Sequence, residues 1–456
     1  MDMVDYAHNK RATLALIVFS ACIIMFFVER MHLIAFSPIS IIAIVIALIR
    51  YFYLCVQSKR EVLFSSFYQI YAMLALLLSA IAISSGAYML EVGAFGSANG
   101  SVWVILAYFI AGIEATFRGF QSKISLGIAG KIIPQPWPVA RRLILVIVCA
   151  VGLIGFYILF TAGSPILIGV DRVTFWRSIA PEHFSFIPSL ITQTYFFICY
   201  YTLVAHKMRD HPAASVFVIF LYIFITVVIL GQKFSAFILL ASAWLMVLPG
   251  VFPNFKIRAL YVLPVVVISI LLLLLVVWSY SLSGRDASFI FYRVALQAQL
   301  IWSVLSDPYN FKLFPSSDWR CYFGCGFMDS GQDYISLQYL PFDLYKYYYS
   351  GGTTLSGFMP ALSILTFGII ISFLIHLLVC FMLGVMQREI CLTVRKGNFI
   401  ASFLLYKVQL GFMLMWFSAL NSTFIGIILA AIALIIYLVL FGWSILSERR
   451  MGAVRG

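Results

Sequence analysis

Apolar runs of close to 20 residues alternate with short polar breaks along almost the whole chain, and about 20 apolar residues is what a helix needs to cross a bilayer. The runs predict helices at 12–29, 33–55, 65–90, 101–117, 141–162, 186–206, 213–231, 234–252, 259–282, 357–386, 400–418 and 423–446. This is the pattern of an all-α, polytopic integral membrane protein with about 12 transmembrane helices. The rhythm breaks once, between 282 and 357, where the chain turns polar for about 70 residues. The expected organisation is a membrane domain over 1–282 (helices 1–9), a large loop with short helices over 283–356, and a membrane domain over 357–456 (helices 10–12). Segment 118–140, with Gly127, Gly130, Pro134, Pro136 and Pro138, predicts an irregular connection. There is no repeat of the whole chain and no inverted pair of Gly/Pro-broken helices, which weakens a secondary-transporter reading.

Composition agrees. The chain is 63% hydrophobic and 10% charged, with a mean hydropathy of +1.03, where a soluble protein carries about 25% charged residues. The net charge of +13 does not point to nucleic acid, because its distribution follows the membrane. Nineteen of the thirty Lys and Arg fall in segments on the side of the N-terminus, and nine on the other side, five of those in the long loop. By the positive-inside rule both termini are expected in the cytoplasm and residues 283–356 outside. Lys10 and Arg11 precede the first run as in a signal peptide, but no small-residue cleavage site follows and the run is long enough to span. Six of the eight cysteines lie in or beside apolar runs and read as small buried hydrophobes. Cys321 and Cys325 share the outer loop, and their spacing leaves a bridge and two free thiols equally open. Inside the runs, Arg50, Glu114 and Lys407 are candidates for a conduction path, with Arg50–Glu114 pairing or snorkelling the plainer account. His376 reads as a packed polar residue. The chain has no HExxH, no DxD and no carboxylate cluster, so neither a metal nor another cofactor is expected.

The remaining polar chemistry gathers at the outer side. The long loop opens with GRDASFIFYRVALQAQLIWSVL, Gly284 to Leu305. Read as a helix, it places Arg293 and Gln297 on one face, with Arg285 and Asp286 two turns earlier where the membrane helix ends. Arginines at headgroup depth suit a phosphate, through paired hydrogen bonds and permanent charge; they equally suit an interfacial helix anchored to lipid. Further along come Trp319, Tyr322, Phe323, Tyr334, Tyr339, Phe342, Tyr345, Tyr347, Tyr348 and Tyr349. Rings beside polar side chains suit sugar, and also a membrane-interface belt. The loop after the fifth run, Gly163 to His183, supplies Asp171, Arg172, Arg177, Glu182 and His183. GQKF, Gly231 to Phe234, puts Lys233 at the start of a helix, where the dipole disfavours it unless an anion binds or the side chain snorkels outward. GGTTLSGFMPALSILTFG, Gly351 to Gly368, offers Thr353, Thr354 and Ser356 as helix caps or phosphate donors.

Four of these patterns, GSPILIGVDR, GQKF, GRDASFIFYRVALQ and GGTTLSG, together with the layout of about twelve helices and one late outer loop, resemble the Wzy-type O-antigen and capsule repeat-unit polymerases. GQKF has lysine where an arginine is expected. The resemblance implies a fold similar to the GT-C membrane glycosyltransferases in a bacterial inner membrane. It also implies a reaction. A glycan on undecaprenyl diphosphate is the donor, its reducing-end sugar moves to a hydroxyl of a second lipid-linked repeat, and undecaprenyl diphosphate leaves. On that reading Arg285, Arg293 and Arg172 stabilise the leaving diphosphate without a metal, supported by Lys233 or Arg177. His183 or Glu182 serves as base, with Asp286 and Asp171 each beside an arginine they can orient. Gln297, Thr353 and Tyr348 are expected to bind substrate. The implied partners are the two lipid-linked oligosaccharides, membrane lipid and a chain-length regulator protein. The alternatives are an O-antigen ligase, or a lipid-linked oligosaccharide flippase or transporter.

Overall fold

The computed structural model describes residues 3–30, 38–84, 86–89, 92–95, 100–170, 172–184, 186–229, 231, 235–253, 274, 299–307, 318–323, 331–350, 360–418 and 425–439. Among these the chain is helical almost throughout. Its helices are α1 (Met3–Arg30), α2 (Pro38–Ser65), α3 (Phe67–Ser84), α4 (Ser101–Gln121), α5 (Trp137–Ala162), α6 (Ile187–Met208), α7 (Pro212–Phe224), α8 (Ser235–Val251), α9 (Gln299–Ser306), α10 (Gly331–Tyr339), α11 (Phe342–Ser350), α12 (Ala361–Arg395), α13 (Phe399–Ser418) and α14 (Ile425–Val439). One small antiparallel hairpin, β1 (Tyr88–Met89) with β2 (Ala94–Phe95), follows α3. Among the described residues five stretches are long and apolar enough to cross a membrane: Lys10–Glu29, Ser101–Gln121, Trp137–Ala162, Ala361–Arg395 and Phe399–Phe417. Five shorter apolar helices accompany them. The protein is a membrane-embedded helical protein. Of the expected run at 259–282 only residue 274 is among the described residues.

Several boundaries differ from expectation, among them the start of α1 at Met3 rather than 12 and the end of α12 at Arg395 rather than 386. α2 continues through Lys59 and Arg60 to Ser65, where a polar break was expected after 55; Lys, Arg and Glu are strong helix formers, so polarity alone does not end a helix. α3 stops at Ser84 rather than near 90, because the chain enters the hairpin that pairs Tyr88 with Phe95. The expected irregular connection at 118–140 is narrower, because α4 runs on to Gln121 and the next helix starts at Trp137; between them lies one short helical turn, Ile128–Lys131.

The chain divides into two units. The first comprises 1–125, 291–388 and 407–430. Its centre is the close approach of α4 and α12, and glycine makes that approach possible. A Cβ on Gly119 would run into the Phe381 carbonyl, and one on Gly384 into the Thr116 carbonyl. Membrane helices are held by such backbone contact and by buried hydrogen bonds rather than by hydrophobicity. Here the Gln69 amide donates to Thr116 Oγ1 at 3.3 Å, and the Trp302 indole to Ser79 Oγ at 2.8 Å. His376 is a packed polar residue, as expected: it lies 2.8 Å from the Tyr108 carbonyl oxygen through Nε2 and accepts from the Trp416 indole at 2.9 Å through Nδ1. The Arg50–Glu114 pairing is corrected. Glu114 is bound by the buried Arg11, Nε to Oε1 at 2.8 Å, whereas Arg50 is exposed with its guanidinium 5.4 Å from the Tyr53 ring centroid. Placing the two opposite charges together avoids leaving either unpaired.

α12 is broken near its start. Gly368, the last residue of the GGTTLSGFMPALSILTFG stretch, has φ 71 and ψ 168, so two helices meet there. Side chains take up part of the interruption: the Tyr108 hydroxyl donates to the Ile369 carbonyl at 2.9 Å, and Ser372 donates to Ser363 across the break at 2.7 Å.

The second unit comprises 126–290, 389–406 and 431–456. α6 is its hub and packs against α5, α7 and α8. Buried Phe196 and half-buried Phe197 on α6 meet Phe403, with Phe197 stacked on it at 4.3 Å. Hydroxyl pairs lock α6 to the helix beside it, Thr194 to Tyr222 at 3.0 Å and Tyr195 to Thr226 at 3.1 Å.

Candidate functional site

The second unit also carries the two motifs that the described residues bring together. The exit loop after α5 begins at Gly163, folds back on itself through a Val170 N–H to Pro165 carbonyl hydrogen bond of 3.1 Å, and reaches Arg172. Gly231, the first residue of GQKF, sits against this loop. A Cβ built on Gly231 would lie 2.9 Å from the Pro165 side chain and 3.8 Å from the Cβ of Arg172. Gly231 is buried and has φ 62, the left-handed region that glycine adopts without penalty. The glycine is therefore required twice, for its backbone angle and for lack of a side chain. The consequence is that Gly231 and the base of the Arg172 side chain are neighbours.

Both elements that feed this junction contain a π-helical turn, a rare feature often found at functional sites. Arg172–Thr174 is one helical turn and continues as the π segment Phe175–Ile179, closed by the Ala180 N–H donating to the Phe175 carbonyl at 2.8 Å. Phe175 is buried and anchors the segment, while Arg177 points to solvent. Arg172 is half-buried. The other π segment, Ile225–Ile229, closes α7 just before Gly231. Gly155 of α5 lets Ile229 approach, with a Cβ there reaching 3.0 Å from Ile229 Cδ1, and Thr226 is tied to Tyr195. The wider turn of a π segment re-aims the residues after it.

After the first π segment the chain makes a 3-10 turn, Glu182–Phe184. Phe184 packs edge-on against Tyr157 of α5 at 5.5 Å, which seats the turn on the end of that helix. Glu182 and His183 are both exposed. Either is free to meet a hydroxyl from solvent, and neither is singled out over the other by its surroundings.

Of the residues proposed from sequence, the structure thus brings Arg172 to the GQKF glycine and places Arg177, Glu182 and His183 on the same short exit segment. Tyr348 lies on α11. Arg285, Asp286, Arg293, Gln297, Lys233, Thr353 and Asp171 lie outside the described residues, so the long-loop arginines are not placed relative to Arg172. Pro165 is the residue sequence reasoning passed over; it stands inside GSPILIGVDR, and a proline two residues after a helix-ending glycine is a signal for a fixed loop. The Arg–Glu pair in the first unit is not a site of this kind, since its charges satisfy each other. A cavity of about 20 Å³ in that unit, between Gln69, Tyr108, Gly112, Pro360, His376 and Phe417, has room for one water and none for a sugar or a phosphate. No family model, curated protein or solved structure matches this chain.

Proposed function

We propose that this protein polymerises undecaprenyl-diphosphate-linked oligosaccharide repeats at the periplasmic face of a bacterial inner membrane, as a metal-independent glycosyltransferase. The observation that carries the reading is the packing of Gly231 on Pro165 and Arg172, which joins two separate outer motifs at one place. In this reading about twelve helices span the membrane, both termini are cytoplasmic and residues 283–356 are periplasmic. The disulfide at Cys321 supports that side for the loop, because such bonds persist in oxidising compartments; its neighbour Cys325 lies outside the described residues.

The chemistry asks for fixed charge more than for proton transfer at the leaving group. The bond between the reducing-end carbon and the diphosphate oxygen breaks, and the electron pair leaves with undecaprenyl diphosphate. Arg172, Arg285 and Arg293, with Lys233 or Arg177, offset the charge that grows there. The acceptor hydroxyl oxygen forms the new bond to that carbon and gives up its proton, to Glu182 or His183. Gln297, Asp286, Thr353 and Tyr348 bind the substrates, and a chain-length regulator protein is a partner. A transporter reading has less support, since Glu114, its best candidate for a relay, is held by Arg11 and Tyr51.

The test is the glycolipid made by cells lacking this protein. Lipopolysaccharide capped with a single repeat supports the polymerase. Unmodified core with accumulated long polymer on the lipid carrier identifies a ligase instead, and unmodified core without polymer a flippase.

A further inference from the structure

Within the long loop, residues 318–323 form a tight turn held from several directions. The Asp318 carboxylate accepts the Arg320 backbone N–H at 2.9 Å and its Nε–H at 2.7 Å. The Cys321 N–H donates to the Asp318 carbonyl at 2.9 Å, and Cys321 is disulfide-bonded. Tyr322 is buried: its hydroxyl donates to the Met415 carbonyl at 3.3 Å, and its ring packs on Trp416 and Phe367 at 5.9 and 5.4 Å. Amid this, Trp319 is 59% exposed and Phe323 41% exposed. A rigid turn that buries one ring and leaves an indole in solvent keeps apolar area unused in the free protein.

We infer that Trp319, flanked by the Asp318–Arg320 pair, is a platform for a sugar ring of the lipid-linked glycan; the choice of glycan rests on the function proposed above. A pyranose has an apolar face that stacks on an indole and an edge of hydroxyls that needs donors and acceptors. The turn supplies both at once. Arg320 uses its Nε and Nη2 on Asp318, which leaves Nη1 for a hydroxyl, and Asp318 keeps lone pairs toward solvent. Because the cap, the disulfide and Tyr322 already fix the backbone, a ligand orders little on binding. Lipid is the poorer occupant. An indole sunk in the bilayer would carry an aspartate and an arginine down with it, on either side in sequence.

The experiment uses the full-length protein, its Trp319→Phe and Trp319→Ala variants, and lipid-linked repeat extracted from cells lacking the protein. Trp319→Ala is expected to raise KM for that lipid roughly tenfold, the factor supplied by a contact of about 1.4 kcal/mol, with kcat little changed. Trp319→Phe keeps a ring and recovers most of the loss. Nine tryptophans share the emission, so the signal read is wild type minus Trp319→Phe. Oligosaccharide released from the extract by mild acid is expected to change that difference signal saturably. Quenching of it by brominated phospholipid in place of the sugar response overturns the platform and makes Trp319 a membrane anchor. Unchanged KM in a folded Trp319→Ala variant overturns it too, while leaving the polymerase reading intact. If wild type makes no polymer yet the difference signal saturates with oligosaccharide, the polymerase reading fails and the platform stands.

Discussion

Arg11 and Glu114 form an ion pair that ties α1 to α4, with the arginine fully buried and the carboxylate half-buried. Arg11 Nε donates to Glu114 Oε1 at 2.8 Å and Nη2 to Oε2 at 3.2 Å, while the guanidinium lies 3.9 Å over the Phe117 ring. The Tyr51 hydroxyl of α2 adds a third hydrogen bond to Glu114 at 2.9 Å. Three helices therefore meet on one carboxylate. Removing one partner strands the other charge, so Glu114→Ala and Arg11→Ala are each expected to cost about 3–5 kcal/mol. Replacing both, as Arg11→Met with Glu114→Leu, is expected to recover most of that. Thermal unfolding in detergent reads the cycle, and single variants as stable as wild type would remove the pair from the account of the fold.

The junction at Gly231 is tested by adding one carbon. Alanine there meets Pro165 and also suffers the left-handed backbone, a combined penalty of about 2–5 kcal/mol if nothing moves. The cheaper response is for the exit loop to shift and take Arg172 with it. Gly231→Ala is therefore expected to lose polymer at membrane levels close to wild type. A variant that polymerises normally would show that the contact between the two motifs is not needed.

A second strained turn joins α6 to α7. Arg209 and His211 both have positive φ, 55 and 49, on either side of Asp210. Asp210 holds them in place: the Trp137 indole donates to it at 2.8 Å and Arg141 at 2.9 and 3.0 Å. Arg209 occupies a helix-ending position that glycine fills without penalty, so Arg209→Gly is expected to stabilise by about 1 kcal/mol. The Trp137 hydrogen bond, with Arg141, holds the Asp210 carboxyl below the usual carboxylate range. A depressed carboxylate stabilises the fold fully above its unfolded pKa, and the contribution fades as pH falls through the lower folded value. Melting curves taken from neutral pH downward should thus converge for wild type and Asp210→Asn only in acid. Curves that run parallel at every pH would contradict this.

Orientation is testable at α11. Asp343 is exposed on that helix, and the proposed topology puts it in the periplasm. Asp343→Cys, made with the two loop cysteines intact, should react with a membrane-impermeant maleimide added to whole cells. Labelling only after the inner membrane is opened would invert the topology and remove the periplasmic site.

How much of this was legible in the sequence depends on what each feature rests on. Run length and hydropathy need only local chain, so among the described residues the long apolar runs are helical. Ends were less readable, as α2 shows: Lys59 and Arg60 interrupt hydropathy without interrupting helix. Pairings were the least readable. For Glu114 the sequence offered pairing with Arg50 or snorkelling, but its partner is 103 positions away at Arg11, and only the packing of α1 on α4 decides that. At the candidate site, charge and glycine marked both motifs, whereas their contact through Pro165 is a property of the fold. Trp319 was one aromatic among ten until burial separated it from Tyr322.

Arg172 is where the functional reading meets the described structure most directly. It is half-buried at the start of a short helical turn, fixed behind by the Gly231 junction and ahead by the buried Phe175. A guanidinium held at that base can form two parallel hydrogen bonds to a diphosphate, and those bonds strengthen as charge builds on the leaving oxygen. Arg172→Ala is expected to lose about 3–4 kcal/mol of transition-state stabilisation, by analogy with removal of one oxyanion donor. That is about a hundredfold to a thousandfold in rate. Lysine keeps the charge and loses the fork, so Arg172→Lys should recover only part of it. An arginine that merely anchors the loop to lipid headgroups predicts another order, in which lysine serves nearly as well as arginine and alanine lowers the amount of protein rather than its turnover. Polymer length and single-turnover rate, both measured at matched protein levels, separate the two. Full activity in Arg172→Lys would make the residue an anchor and leave the leaving-group role to the arginines of the long loop.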